Sequence, residues 1–145
     1  MKFLLVFTLI ATCWAAEKKI KMNDLPPAVR KTVEDLGKTS TIVGLAEEVE
    51  AGVTVYEAET KVNGKRRDVT IDASGKIVAS EGEVALDSIP APARASIEKE
   101  AAGGKITIVE KVTKGDNVKY EAAIQPNKGK KKEVSFNADG APAKW

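Results

Sequence analysis

Two clusters of cations are the residues best placed to do chemistry. Asn63-Gly64-Lys65-Arg66-Arg67 separates two stretches of alternating polarity, and Asn127-Lys128 with Lys130-Lys131-Lys132 occupies the equivalent place 64 residues later. Adjacent lysines and arginines can hold phosphate, sulfate or carboxylate groups, so one reading is a grip on an anionic surface or polymer. The other is architectural: charged hairpin ends keep strand edges from pairing with other chains. Near-neutral charge and a lack of aromatics for base stacking favour architecture, and no nucleic-acid partner is expected.

Other chemistry is constrained by what the sequence omits. The chain has no histidine and one cysteine, Cys13. Histidine is the usual general base near neutral pH and the commonest metal ligand. Its absence removes Ser-His-Asp catalysis and histidine-ligated zinc. Ser-Lys or paired-carboxylate chemistry stays open in principle, but the acids are scattered. A non-enzymatic role is expected, with no cofactor and no metal. Asp72-Ala73-Ser74-Gly75 and Asn137-Ala138-Asp139-Gly140 lack the spaced oxygen ligands of a calcium loop and read as turns. Glu47, Glu48 and Glu50 form an acidic patch that reads as a solvated strand end, the alternative being that it steers a cationic partner.

The compartment is written at the start. Residues 1–15 of MKFLLVFTLIATCWAA carry one lysine, an apolar run from Phe3 to Ala11 and then small residues, the pattern of a secretory signal peptide. Cleavage after Ala15 places small residues at 13 and 15. The alternative is a lipid anchor on Cys13, preceded by Thr12. Export removes Lys2 and the cysteine. Of 23 basic residues, 22 then remain against 21 acidic ones, a net charge of +1. No disulfide can form in the mature chain, and no second apolar run could span a bilayer.

The elements that position these residues come in two copies. Leu25-Pro26 through Glu34 matches Ile89-Pro90 through Glu98 at an offset of 64, and Tyr56-Glu57-Ala58 matches Tyr120-Glu121-Ala122 at the same offset. Asp68 to Gly75 matches Glu133 to Gly140 at 65. Repeats of this length mark a duplicated structural unit. Each copy opens with helical spacing, Val29, Val33 and Leu36 or Ala93, Ile97 and Ala101, with Asp24 or Ser88 as the expected cap. The period then switches to two. Tyr56 and Ala58, with Val69 and Ile71, fall on one face; Glu57, Glu59, Asp68, Thr70 and Asp72 fall on the other. Tyr56 and Tyr120 are expected in the core. Asn63-Gly64 is a hairpin dipeptide, and Ile77-Val78 suggests a short fourth strand in the first copy. Pro142 argues against one in the second.

The expected fold is α+β: two tandem α-β-β-β(-β) repeats with helices packed on one face of antiparallel sheet. A first unit covers 16–80, a linker 81–88 and a second unit 89–145.

The order Leu25-Pro26-x-Ala28-Val29-x-x-x-Val33, Tyr56-Glu57-Ala58, Val69-x-Ile71-Asp72-Ala73-x-Gly75 resembles the PepSY-like domain family, and the second half repeats it more loosely. That family is similar in fold to the secreted beta-lactamase inhibitor proteins, tandem αβ repeats whose concave sheet clamps an enzyme. The resemblance implies a non-catalytic binding module outside the cytoplasm, an inhibitor of a secreted or periplasmic hydrolase. It carries over no active site. The expected partner is an envelope or secreted protein, met through the wet sheet face and the segments 63–67 and 127–132. Trp145 is expected to cover an open core edge.

Overall fold

Strict alternation organises the chain into strands, and a computed structural model describes residues 17–144. A two-residue strand β1 (Lys18–Lys19) precedes helix α1 (Pro27–Gly37), then β2 (Thr41–Glu50), β3 (Val53–Val62), β4 (Lys65–Asp72) and β5 (Ile77–Glu83). Helix α2 (Ala91–Ala101) leads into β6 (Lys105–Lys114), β7 (Asn117–Gln125) and β8 (Lys132–Asn137). All eight strands form one antiparallel sheet in chain order. The two copies therefore share a continuous sheet, joined where β5 pairs with β6 from Ala79–Lys114 to Glu83–Glu110.

Register carries one set of side chains onto a single face. Tyr56 pairs with Ile71 and Ala58 with Val69; Val109 pairs with Ala122 and Tyr120 with Phe136. Against this face α1 buries Val29 and Val33 and the segment before it Leu25, while α2 buries Ala93 and Ile97 and the segment before it Ile89. Val29 and Ile97 have no exposed surface. Truncating Ile97 to alanine would cost about 2–5 kcal/mol through lost burial and a cavity. Both tyrosines are core residues, as the alternation requires. The duplication reaches fine detail. A bulge interrupts β2 between Ile42 and Gly44 and β6 between Ile106 and Ile108.

The helix starts differ from the sequence expectation. Pro26 and Pro90 occupy the cap positions, and neither helix has a side-chain cap bond. Asp24 and Ser88 instead close short 3-10 turns: Asp24 Oδ2 accepts from the Lys21 N–H (2.9 Å) and Ser88 Oγ donates to the Ala85 carbonyl (2.7 Å). A proline side chain has no oxygen to offer the first helical N–H groups, and Asp24 and Ser88, two residues before the prolines, serve the preceding turns instead.

The helices are fastened to the sheet by a repeated contact. Thr32 Oγ1 donates to the Gly75 carbonyl (2.6 Å), and Ser96 Oγ donates to the Gly140 carbonyl (2.8 Å). Each glycine turn lies against the first turn of its helix. A Cβ on Gly75 would stand 2.6 Å from the Ala28 carbonyl oxygen, and one on Gly140 2.7 Å from that of Pro92. Both glycines also have left-handed φ, 86° and 83°. These approaches explain why the turn recurs with glycine at its end.

β5 is longer than expected and central. It runs through Glu83, so the first three residues of the anticipated linker are strand. Among the described residues the second copy has no counterpart beyond an isolated bridge from Phe136 to Pro142, in keeping with a proline there. Among the described residues no helix is long and apolar enough to cross a membrane. The signal-peptide residues, Cys13 and Trp145 lie outside the described residues.

Candidate functional site

Both helices cover one face of the sheet, and the other face is open. Its side chains come from the alternate register positions. Glu59, Asp68 and Glu81 stand in one cross-strand row on β3, β4 and β5. Like charges directly opposite one another repel, so nothing in sheet stability favours this row. Glu57 and Glu48 extend it into a trough of ≈ 470 Å³, whose walls also include Arg66 and Lys114.

The trough is undercompensated in charge. Glu57 is pushed up to about 7, first by burial and then by Glu48, Asp68, Glu17 and Glu59. Glu48 is also raised, by burial and then by Glu17 and Glu50. Arg66 supplies partial relief: its guanidinium contacts Asp68 at 2.9 Å, which holds the arginine more firmly protonated. Next to this row, one oxygen each from Glu81, Glu110 and Glu121 lies within 4.8 Å of the others. Burial, then Glu81, raises Glu110. Three carboxylate oxygens at that spacing are the kind of donor set a hard cation takes, though exposed acids often cluster without one.

The expected contact residues are redistributed. Asn63 and Gly64 form the β3–β4 turn, with left-handed φ at both, 51° and 79°. Lys65, Arg66 and Arg67 are not in that turn; they begin β4, so alternation sends them to opposite faces. Lys65 pairs with Glu83 (3.1 Å) on the helix side, and Arg66 pairs with Asp68 on the open side. Arg67 lies on the helix side opposite Gly82. The second cluster stays closer to its expected form. Asn127, Lys128, Lys130 and Lys131 lie exposed in the β7–β8 loop, whereas Lys132 opens β8 and pairs with Glu100 (2.7 Å). Both hairpin tips lie at the same end of the sheet, four strands apart, roughly 19 Å at the usual interstrand spacing.

Some relevant residues escape a linear reading. Glu110 and Glu121 occupy alternate positions on β6 and β7, which the period-two pattern could have identified. Glu81 could not be placed because its segment reads as a linker. The sequence also holds one Ser-x-x-Lys spacing, Ser96 to Lys99, on α2. Ser96 spends its hydroxyl on the Gly140 carbonyl, a helix-to-turn tie. Of the acidic patch, Glu48 and Glu50 line the trough, while Glu47 pairs with Lys18 (3.8 Å). In the glycine turns the acids serve the backbone: Asp72 Oδ1 accepts from the Ser74 and Lys76 N–H groups, and Asp139 Oδ1 from that of Ala141.

No family model and no curated protein matches the sequence. Solved structures do match in shape. A protein of provisional periplasmic assignment from Bacteroides eggerthii superposes with a TM-score of 0.66 at 19% identity, over 83% of this chain and 86% of that one. A DUF2874 family protein from Bacteroides ovatus gives 0.62 at 18%, covering 83% and 85%. A BLIP-like protein from Bacteroides fragilis gives 0.61 at 18%, covering 83% and 84%. Such coverage with so little identity is a likeness of fold, and the chain has the α+β, BLIP-like fold: an eight-stranded antiparallel sheet with two helices on one face.

Proposed function

We propose that this chain is an exported, non-catalytic protein-binding module that docks through the open face of its sheet. The observation that carries the reading is the asymmetry of the sheet. One face carries both helices and the two apolar cores beneath them, and the other presents a row of carboxylates that no fold requirement explains. An approaching surface bearing lysine or arginine would relieve the repulsion that raises Glu57, Glu48 and Glu110. The expected partner is an envelope or secreted protein, and the mode of action is occlusion, as in an inhibitor of a secreted hydrolase. The signal-peptide pattern supports export, and the PepSY-like motif order supports a binding role.

The test is retention of an envelope protein by the mature chain and by two variants. Glu59→Gln with Asp68→Asn and Glu81→Gln alters the open face; Lys128→Gln with Lys130→Gln and Lys131→Gln alters the loop. Loss of one defined protein with the first variant and its retention with the second is the expected result. Equal retention by wild type and the open-face variant would refute the docking face. The second reading, an anionic surface held by basic hairpins, draws support from the exposed Lys128, Lys130 and Lys131 alone, because Lys65 and Arg66 already have acidic partners. Loss with the loop variant at low salt would favour it.

A further inference from the structure

The helix-covered face is bare at its centre, where a groove lies between the two helices. α1 packs over β2, β3 and β4, and α2 packs over β6, β7 and β8. Where β5 pairs with β6 it offers only Ser80 and Gly82 to this face, with Ile77 opposite Ile71 at the far end, so the middle of β5 gives neither helix an apolar surface to bury. The result is a groove of ≈ 570 Å³, a size typical of small-molecule sites.

The register fixes what lines it. Arg67, Gly82 and Lys111 form one cross-strand row on β4, β5 and β6, and Val69, Ser80 and Thr113 form the next. Two cations thus face each other across a position with no side chain, about 10 Å apart at their Cα atoms. Gly82 keeps the row open: a Cβ there would meet the Arg67 Cγ at 3.2 Å. Among the described residues neither Arg67 nor Lys111 forms an ion pair with a carboxylate. Of the other cations that line the groove, Lys65 is matched by Glu83, which also lines it, and Arg66 by Asp68. The uncompensated charge is therefore two positive units, beside the hydroxyls of Ser80 and Thr113 and between Val62 and Val84.

We infer that this groove binds a small organic dianion, with a phosphate monoester as the closest chemical match. A phosphate monoester carries between about −1.5 and −2 charges near neutral pH and accepts several hydrogen bonds, which suits two cations and two hydroxyls. Arginine meets such a group through two parallel N–H donors, and lysine as a point charge. The valines contact the organic body. A soluble ester fits better than a bilayer headgroup, because flanking helices recess the floor by roughly 10 Å, one helix diameter. The inference does not depend on the open face, which lies on the other side of the sheet.

The test is a titration of the mature chain with phenyl phosphate, followed by amide shifts in proton–nitrogen correlation spectra. Saturable shifts centred on Ser80, Gly82 and Thr113 are expected. Arg67→Gln or Lys111→Gln should each weaken binding about tenfold or more, whereas Lys131→Gln should leave it unchanged. Inorganic phosphate should bind more weakly for want of the valine contacts. Lys111 is exposed, so its variant keeps the test valid even if the Arg67 variant folds poorly. The site is overturned if no saturation occurs at millimolar ester, if the shifts map to 126–131, or if Lys131→Gln weakens binding as much. Binding to phosphatidate vesicles without any phenyl phosphate shift would assign the cations to a membrane and overturn it too. Equal affinity for inorganic phosphate would overturn the organic body.

Discussion

Replacing Gly75 with alanine tests the contact that fastens helix to sheet. Two costs apply there and can be separated. The backbone φ of 86° is left-handed, which costs a residue with a Cβ about 1–2 kcal/mol. The new Cβ would also stand 2.6 Å from the Ala28 carbonyl oxygen and 2.9 Å from its carbon, both backbone atoms of α1. Backbone cannot rotate aside, so turn or helix must shift, and such overpacking costs typically about 1–3 kcal/mol. The shift also strains the Thr32–Gly75 hydrogen bond, whose loss would add about 1 kcal/mol at most. Gly75→Ala should therefore cost about 2–6 kcal/mol. Gly64 has nearly the same φ, 79°, but nothing within 4 Å of the added Cβ. Gly64→Ala should cost only the first part, about 1–2 kcal/mol. Urea unfolding of both variants followed by far-ultraviolet circular dichroism gives the two values. Equal destabilisation would refute the close approach as the reason for the repeated glycine.

Gly140→Ala should behave like Gly75→Ala in the same urea assay, because its Cβ would lie 2.7 Å from the Pro92 carbonyl oxygen. Ser96→Ala should cost about 1 kcal/mol through the lost helix-to-turn bond, and Lys99→Ala should leave stability nearly unchanged in denaturant melts. Glu57 should make stability depend on pH. Its folded-state pKa, about 7, lies above the ordinary glutamate value of 4.5, so the folded protein holds the proton more tightly. That contribution is complete below about 4.5 and is lost as pH rises to about 7. Water still reaches the group, so screening reduces the effect, and Glu57→Gln should stabilise by about 1–2 kcal/mol at pH 8. At pH 4 the variant and wild type should melt alike, as paired denaturation curves would show.

Much of the fold is legible because the duplication supplies the pattern twice. Period-two alternation identifies Tyr56, Ala58, Val69 and Ile71 as core, and burial follows. Asn63-Gly64 marks its turn through the left-handed φ it adopts. The limits are equally physical. Ile77-Val78 marks the start of β5, but from Ser80 to Glu83 only Ser80 and Gly82 fall on the helix face, so local sequence does not show how far a central strand held mainly by backbone pairing extends. The run Lys65-Arg66-Arg67 looks like one cluster in the sequence, but a strand divides consecutive residues between two faces. Conversely, Glu59, Asp68 and Glu81 are scattered in the chain and aligned only by register. The capping expectation fails at Asp24 and Ser88 because the two prolines take the cap positions themselves.

The docking face is tested most directly by photo-crosslinking. A crosslinking residue at Thr70 or Ala79, paired neighbours on the open face, should join the mature chain to one defined envelope protein. The same residue at Arg94, on α2 on the other face of the sheet, should not. Crosslinks to that protein from Arg94 and none from Thr70 or Ala79 would contradict the open face as the docking surface.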